Sequence, residues 1–148
     1  IYSNVETSKK WSLINSQISR EHSCIDMGEE EFTQSRPHPM IDLSLRQERI
    51  QREANDPSVA VILLDVVIGY GSHDNPAAGL AKTIQKEKEN AINNNRYLSV
   101  VAHVCGSHND IQGLKKQEEY LHNAGALVLP TNAQAAKVAA AIVGTELN

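Results

Sequence analysis

The chain lacks most of the groupings that place a protein at a glance. Its 148 residues hold two cysteines, Cys24 and Cys105, with no metal-ligand spacing. They read as reduced thiols of a cytoplasmic protein, and no metal site is expected. The longest apolar run, residues 59–64, is far short of the roughly 20 residues that cross a bilayer. No charged-apolar-small signal region opens the chain. Basic residues are not in excess: 14 Lys+Arg face 18 Asp+Glu, for a net charge of −4, which argues against a nucleic-acid or polybasic membrane binder. A Walker lysine and a complete dinucleotide fingerprint are both absent. There is no internal repeat and no low-complexity segment. The length suits one domain with a sizeable core. Ile1 in place of Met is expected to mark a piece of a longer protein.

Residues 1–41 have little periodicity. Trp11, Leu13, Ile14 and Ile18 are spaced for one apolar helix face. Cys24-Ile25-Asp26-Met27 predicts a short strand ended by Gly28. From Asp42 onward the pattern is regular. Asp42 suits an N-cap, and residues 43–55 read as a charged helix stopped by Asp56-Pro57. Residues 59–65 are apolar and rich in β-branched side chains, the pattern of a strand buried on both faces. Asn75-Pro76 opens a long helix with Ala77, Leu80, Ala81, Ile84 and Ala91 on one face. Residues 97–104 are a second buried strand. Ile111, Leu114, Leu121 and Ala124 mark a helix ended by Gly125. Residues 126–129 are a third strand. Thr131-x-x-Gln134 is a capping box opening a last helix, with Val138, Ala139 and Ile142 inward. This alternation predicts an α/β three-layer sandwich: a parallel sheet with right-handed crossovers and helices on both faces.

In such sheets ligands bind beyond the carboxyl ends of the strands. Those ends carry residues 65–72, 105–110 and 130–132, and the loop 28–42 is expected to join them. A carboxylate at Asp65, closing an apolar run, must be hydrogen-bonded, paired or at a site. Gly69-Tyr70-Gly71-Ser72 is either an anion cradle of backbone N–H groups or a plain turn. Gly106-Ser107-His108-Asn109-Asp110 either holds a phosphate at a helix start or caps that helix. Pro37 and Pro39 stiffen the loop around His38, which is an acid–base candidate or a loop plug. His103 reads as a satisfied core histidine, His73 and His108 as loop histidines, and His22 and His122 as surface. The site expectation is that His38, Asp65, His73, Ser107, His108 and Asn132 converge at one end of the sheet. His38, Asp65 and His108 are the catalytic candidates. Gly69, Gly71, Ser107, Thr131 and Asn132 are the anion-binding ones, for a phosphorylated or carboxylate small molecule.

The stretches RPHPMID (36–42), VAVILLDVVIGYGSH (59–73), VVAHVCGS (100–107) and PTNAQAAKVAAAI (130–142), in that order, resemble the carboxyl-terminal half of the FdrA family. IYSN and CIDMGEEEFTQSRPHPMID extend the likeness over nearly the whole chain. FdrA proteins are similar to the α subunit of succinyl-CoA synthetase and to other ADP-forming acyl-CoA synthetases. Those carry a Rossmann-type CoA-binding domain followed by flavodoxin-like CoA-ligase domains. The resemblance implies that residues 1–148 are one flavodoxin-like CoA-ligase domain. In it, 1–41 is an irregular entry segment with a short strand, and 42–148 is the β/α core. It implies no cofactor in this fragment, and CoA, ATP or phosphate in the full-length protein. The implied partners are other domains and subunits of the same enzyme in an oligomer, with neither nucleic acid nor membrane.

The synthetases hold a phosphorylated histidine in a Gly-His-Ala-Gly loop after the strand matching residues 100–104. A Gly-Glu-Ile-Gly-Gly run, whose Glu contacts that phosphohistidine, follows the strand matching 59–64. Here the first loop is Cys105-Gly106-Ser107-His108-Asn109-Asp110, with His108 outside any such motif, and Asp65 is the only acid near the second. The resemblance therefore implies an acyl-CoA synthetase-like domain without the phosphohistidine step. Two alternatives accompany it. One is a component of oxamate carbamoyltransferase, which turns oxalurate and phosphate into oxamate and carbamoyl phosphate in allantoin and purine breakdown. Its donors would be Ser107 N–H, Thr131, Asn132 and the backbone of residues 69–71, with His38 or Asp65 as acid or base. The other is a non-catalytic domain for subunit assembly.

Overall fold

The computed structural model of the chain describes residues 1–5 and 8–144. They fall into two units, Ile1–Pro39 and Met40–Asn148. The smaller unit holds β1 (Tyr2–Ser3), a 3₁₀ turn (Lys9–Trp11), β2 (Ser23–Cys24) and α1 (Glu30–Thr33). β1 and β2 pair in parallel, Tyr2 against Ser23 and Ser3 against Cys24. The predicted strand stops at Cys24. Beyond it Asn4 takes over the backbone, its Nδ2 donating to the Asp26 carbonyl and its Oδ1 accepting the Asp26 N–H.

The helix expected over residues 11–18 does not form. Small polar side chains turn the backbone instead: Ser8 Oγ accepts the Lys10 N–H, and Asn15 Oδ1 accepts the Gln17 N–H. Such local bonds compete directly with helical ones. Ile14 and Ile18 are exposed, and Trp11 meets the Tyr2 ring edge-on with centroids 5.3 Å apart.

The larger unit runs α2 (Ser44–Asn55), β3 (Val61–Val67), α3 (Pro76–Asn93), β4 (Ser99–Cys105), α4 (Leu114–Asn123), β5 (Leu127–Val128) and α5 (Asn132–Ile142). Asp42 accepts the Ser44 N–H at 2.8 Å and so starts α2, as its sequence position predicts. Strand order is β3-β4-β5, and both pairings are parallel. Leu43, Ile50, Leu80, Ile84 and Leu121, from α2, α3, α4 and the α2 cap, pack on Leu64, Val66, Val100, Ala102 and Val104. On the other face, α5 presses Ala135 and Ala139 against Val101. This is the predicted α/β sandwich with helices on both sides of a parallel sheet.

The second helical layer is thinner than the sequence suggests. β3 is not buried on both faces: Leu64 and Val66 are buried while Leu63 and Asp65 are exposed. β3 is an edge of the sheet, and on that side α5 packs through Ala135, Ala139 and the half-buried Val138. Ile142, expected inward, is 36% exposed. Ile111 is 88% exposed because α4 begins only at Leu114. Tyr97 lies outside β4 and is also exposed, and its neighbour Arg96 braces the turn before β3 by donating to the carbonyls of Ala54, Asp56 and Val59. Among the described residues no helix is long and apolar enough to cross a membrane.

Candidate functional site

Parallel strands send their following loops to one edge of the sheet. In the larger unit those loops are residues 68–75, 106–113 and 129–131. Two glutamines join the first two. Gln112 Nε2 donates to the Gly69 carbonyl at 3.0 Å, and Gln112 Oε1 accepts the Gly69 N–H at 3.1 Å. The same amide nitrogen also reaches Ser72 Oγ and the His73 carbonyl. Gln117, 1% exposed, accepts the Ala77 N–H in the first turn of α3, and donates to Asn75 Oδ1 and the Gln112 carbonyl. Neither glutamine was a sequence candidate. Gln117 sits three residues after Leu114 and four before Leu121, so its place on the inward stripe of α4 was a readable signal. Gln112 lies outside any helix and gave none.

The loop after β4 closes on itself. Ser107 N–H donates to Asp110 Oδ2 at 2.5 Å, and Asp110 N–H donates back to the Ser107 carbonyl at 3.2 Å. Gly106 is needed here: a Cβ at that position would lie 2.1 Å from Ile68 Cγ1 and 2.9 Å from Asp110 Oδ2. A Cβ at Gly69 would lie 3.6 Å from Asp110 Oδ1. The Asp110 carboxylate thus rests against glycines from two strand ends. His108 is exposed beside it.

Asp65 departs from expectation. It does not close the strand, since β3 continues to Val67. Its side chain, 56% exposed, lies 3.6 Å from Arg46, which also donates to the Asp65 carbonyl. Burial pulls the Arg46 guanidinium below its usual value and Asp65 draws it back up, and arginine stays charged in either case. In register Asp65 faces His103. His103 Nδ1 meets the Leu129 carbonyl at 3.2 Å, the satisfied histidine that was expected.

The other candidates have local roles. His73 Nδ1 accepts the Asn75 N–H at 2.9 Å ahead of α3, and the His73 N–H donates to the Met40 carbonyl. Thr131 Oγ1 accepts the Gln134 N–H, so the N-cap half of the predicted capping box is formed, while the Gln134 Oε1 accepts from the Thr131 hydroxyl rather than from its backbone N–H. Asn132 is the exposed first residue of α5. Gly71, with φ +81°, faces open space. His38 belongs to the smaller unit. It is exposed, with Nε2 2.7 Å from where a Gly28 Cβ would stand. Gly69, Ser72, His73, Ser107 and Asp110 are therefore drawn together through Gln112 and contacts at glycine. Thr131 and Asn132 share their edge of the sheet, and Asp65 points from the sheet face.

Three of the five donors named for an anion are engaged within the protein, and Gly71 and Asn132 are not among them. Gly69 N–H goes to Gln112, Ser107 N–H to Asp110, and the Thr131 hydroxyl to Gln134 Oε1. A groove of about 460 Å³ lies elsewhere, between α4 and β5, lined by Lys115, Glu118, His122, Val128 and Pro130 among others.

Comparison with known proteins agrees with this architecture. Residues 7–142 match the family model described as CoA-ligase. Over 128 residues, 86% of this chain, the sequence is 38% identical to the uncharacterized protein YahF of Escherichia coli (strain K12). The chain spans 25% of that relative's length. With its parallel sheet, flanking helices and matched span, the chain belongs to the CoA-ligase family, as a succinyl-CoA synthetase-like domain.

Proposed function

We propose that this domain serves an FdrA-type relative of the ADP-forming acyl-CoA synthetases, and that it does so without a phosphohistidine. The observation that carries this reading is the Ser107–Asp110 closure. The synthetases place their phosphorylated histidine in the loop after the corresponding strand. Here a carboxylate already holds the loop's backbone donor, and a phosphoryl group beside it would meet like charge. CoA, ATP or phosphate would then be handled by other parts of the full-length protein, with neighbouring domains and subunits as partners. The carbamoyl-transfer alternative draws its donors from Ser107, Thr131, Asn132 and the backbone of residues 69–71; of these Gly69, Ser107 and Thr131 are engaged in this conformation, which leaves it Asn132 and the remaining backbone of that loop.

The test is His108→Asn in the full-length protein with its partner subunits. Turnover is expected to stay within about twofold of wild type, a barrier change well under 1.36 kcal/mol. A loss of a hundredfold or more would make His108 a chemical participant and end this reading.

A further inference from the structure

We propose that residues 9–20, in the smaller unit, form a docking surface for an acidic, apolar-bearing segment of a partner polypeptide. Polarity is inverted along this loop. Ser16 is 5% exposed and its hydroxyl donates to Glu31 Oε2 at 2.6 Å, while Ile14 and Ile18, two positions to either side, are 101% and 65% exposed. Water exclusion alone would bury isoleucine before serine. The backbone that presents the isoleucines is fixed. Both ends of the loop meet at Tyr2: Trp11 packs edge-on against its ring, and the Arg20 guanidinium lies 4.6 Å from the ring centre. Between them the Leu13 N–H donates to the Ser3 carbonyl, and Asn15 accepts the Gln17 N–H through its side chain and the Ile18 N–H through its carbonyl. A preformed loop leaves little ordering to be done when a partner lands. Trp, Tyr and Arg, stacked beside the isoleucines, are the residue types that dominate binding at protein interfaces.

The occupant follows from charge. Residues 8–20 contain Lys9, Lys10 and Arg20 and no Asp or Glu, in a chain whose net charge is −4. Lys9 and Lys10 are exposed, and Lys10 Nζ lies 4.9 Å from the centre of the Trp11 ring, so positive charge and apolar surface adjoin. The acid bonded to the loop, Glu31, accepts from Ser16 and from Asn4. The complement is a segment carrying Asp or Glu beside apolar side chains. A second copy docking through the same loop would set these cations against their own images. An anionic membrane would repel the net negative charge of the rest of the chain.

The experiment uses the full-length protein and three fluorescent peptides, in which a pair of leucines is flanked by glutamates, by serines or by lysines. Anisotropy reads binding. The glutamate peptide should bind at least about tenfold more tightly than the serine peptide, the lysine peptide should not bind, and added salt should weaken the complex. Two double variants, Ile14→Ser with Ile18→Ser and Lys9→Glu with Lys10→Glu, should each weaken binding of the glutamate peptide by about tenfold or more. Circular dichroism should not change, because all four side chains are exposed. Ile14→Ser alone, at a fully exposed position, guards against loss of folding and should still weaken binding about threefold. The proposal is overturned if the glutamate peptide does not bind, binds no better than the others, or binds these variants as it binds wild type. Two further results also overturn it. Self-association in sedimentation velocity that is lost in the isoleucine variant would assign the surface to a second copy. Binding to equimolar phosphatidylserine–phosphatidylcholine vesicles that is lost in the same variant would assign it to a membrane.

Discussion

Gln112 holds Gly69 by both ends of its backbone, accepting the N–H at 3.1 Å and donating to the carbonyl at 3.0 Å. An amide side chain here does what a neighbouring strand would do, just past the point where β3 stops pairing. Gln112→Ala should leave these part-buried groups without partners, at a cost of about 1–3 kcal/mol. Urea unfolding should show a lower midpoint with an unchanged slope. An unchanged midpoint would mean that water replaces the amide without loss.

Arg46 and Asp65 should prove unequal partners. The Asp65 side chain is 56% exposed and the Arg46 side chain 16%. Exposed ion pairs contribute about 0–1 kcal/mol, so Asp65→Asn should be nearly silent in stability. Arg46→Ala also removes a charged donor from the β3 carbonyl at the sheet edge, and should cost about 1.5–3 kcal/mol. Equal effects of the two substitutions would locate the stabilisation in the ion pair instead.

Two glycines in these loops should respond oppositely to rescue. At Gly71, with φ +81° and no neighbour within 4 Å, only backbone conformation resists a side chain. Gly71→Ala should cost about 1–2 kcal/mol, and Gly71→Asn less, because Asn tolerates that conformation. At Gly106 the obstacle is Ile68, 2.1 Å from an added Cβ. Gly106→Ala should cost about 1–3 kcal/mol through overpacking, and Asn should make it worse. Thermal midpoints of the four variants check the order.

Asp56 gives a pH signature. Its bonds from the Ser58 hydroxyl and the Ser58 N–H hold its carboxyl below the usual 3.8. A depressed folded value means the contribution is fully present above the unfolded value and is lost as pH falls through the folded one. The stability difference between wild type and Asp56→Asn should therefore be constant above about pH 5 and shrink below about pH 4. Urea midpoints across that range should show the convergence. A difference that grows in acid would contradict the assigned cause.

The fold was legible where periodicity and caps agreed. Asp42, Asn75-Pro76, Gly125 and the Thr131–Gln134 box all stand at element ends, and β3, β4 and β5 follow from the apolar runs. The misread segments have physical causes. Apolar spacing over residues 11–18 lost to serine and asparagine side chains that bond their own backbone. The run ending at Asp65 reads as doubly buried, because a sequence does not say that α5 would bring mainly small side chains, Ala135, Ala139 and Val138, to that face. The site was legible as a set of loops and not as a set of contacts. Ser107 and Gly69 stand in the loops expected for them, but their partners, Asp110 and Gln112, were set by tertiary geometry across two loops. That Asp65 would be paired rather than at a site was not legible, because its partner Arg46 lies on another element, nineteen positions away.

The most direct measurement is incubation of the full-length protein with γ-labelled ATP and Mg²⁺, followed by a search for acid-labile, base-stable label on histidine. No such label is expected on any peptide of this domain, with Asp110 holding the Ser107 N–H throughout. Acid-labile label mapping to His108 would contradict it and restore the phosphohistidine chemistry of the synthetases.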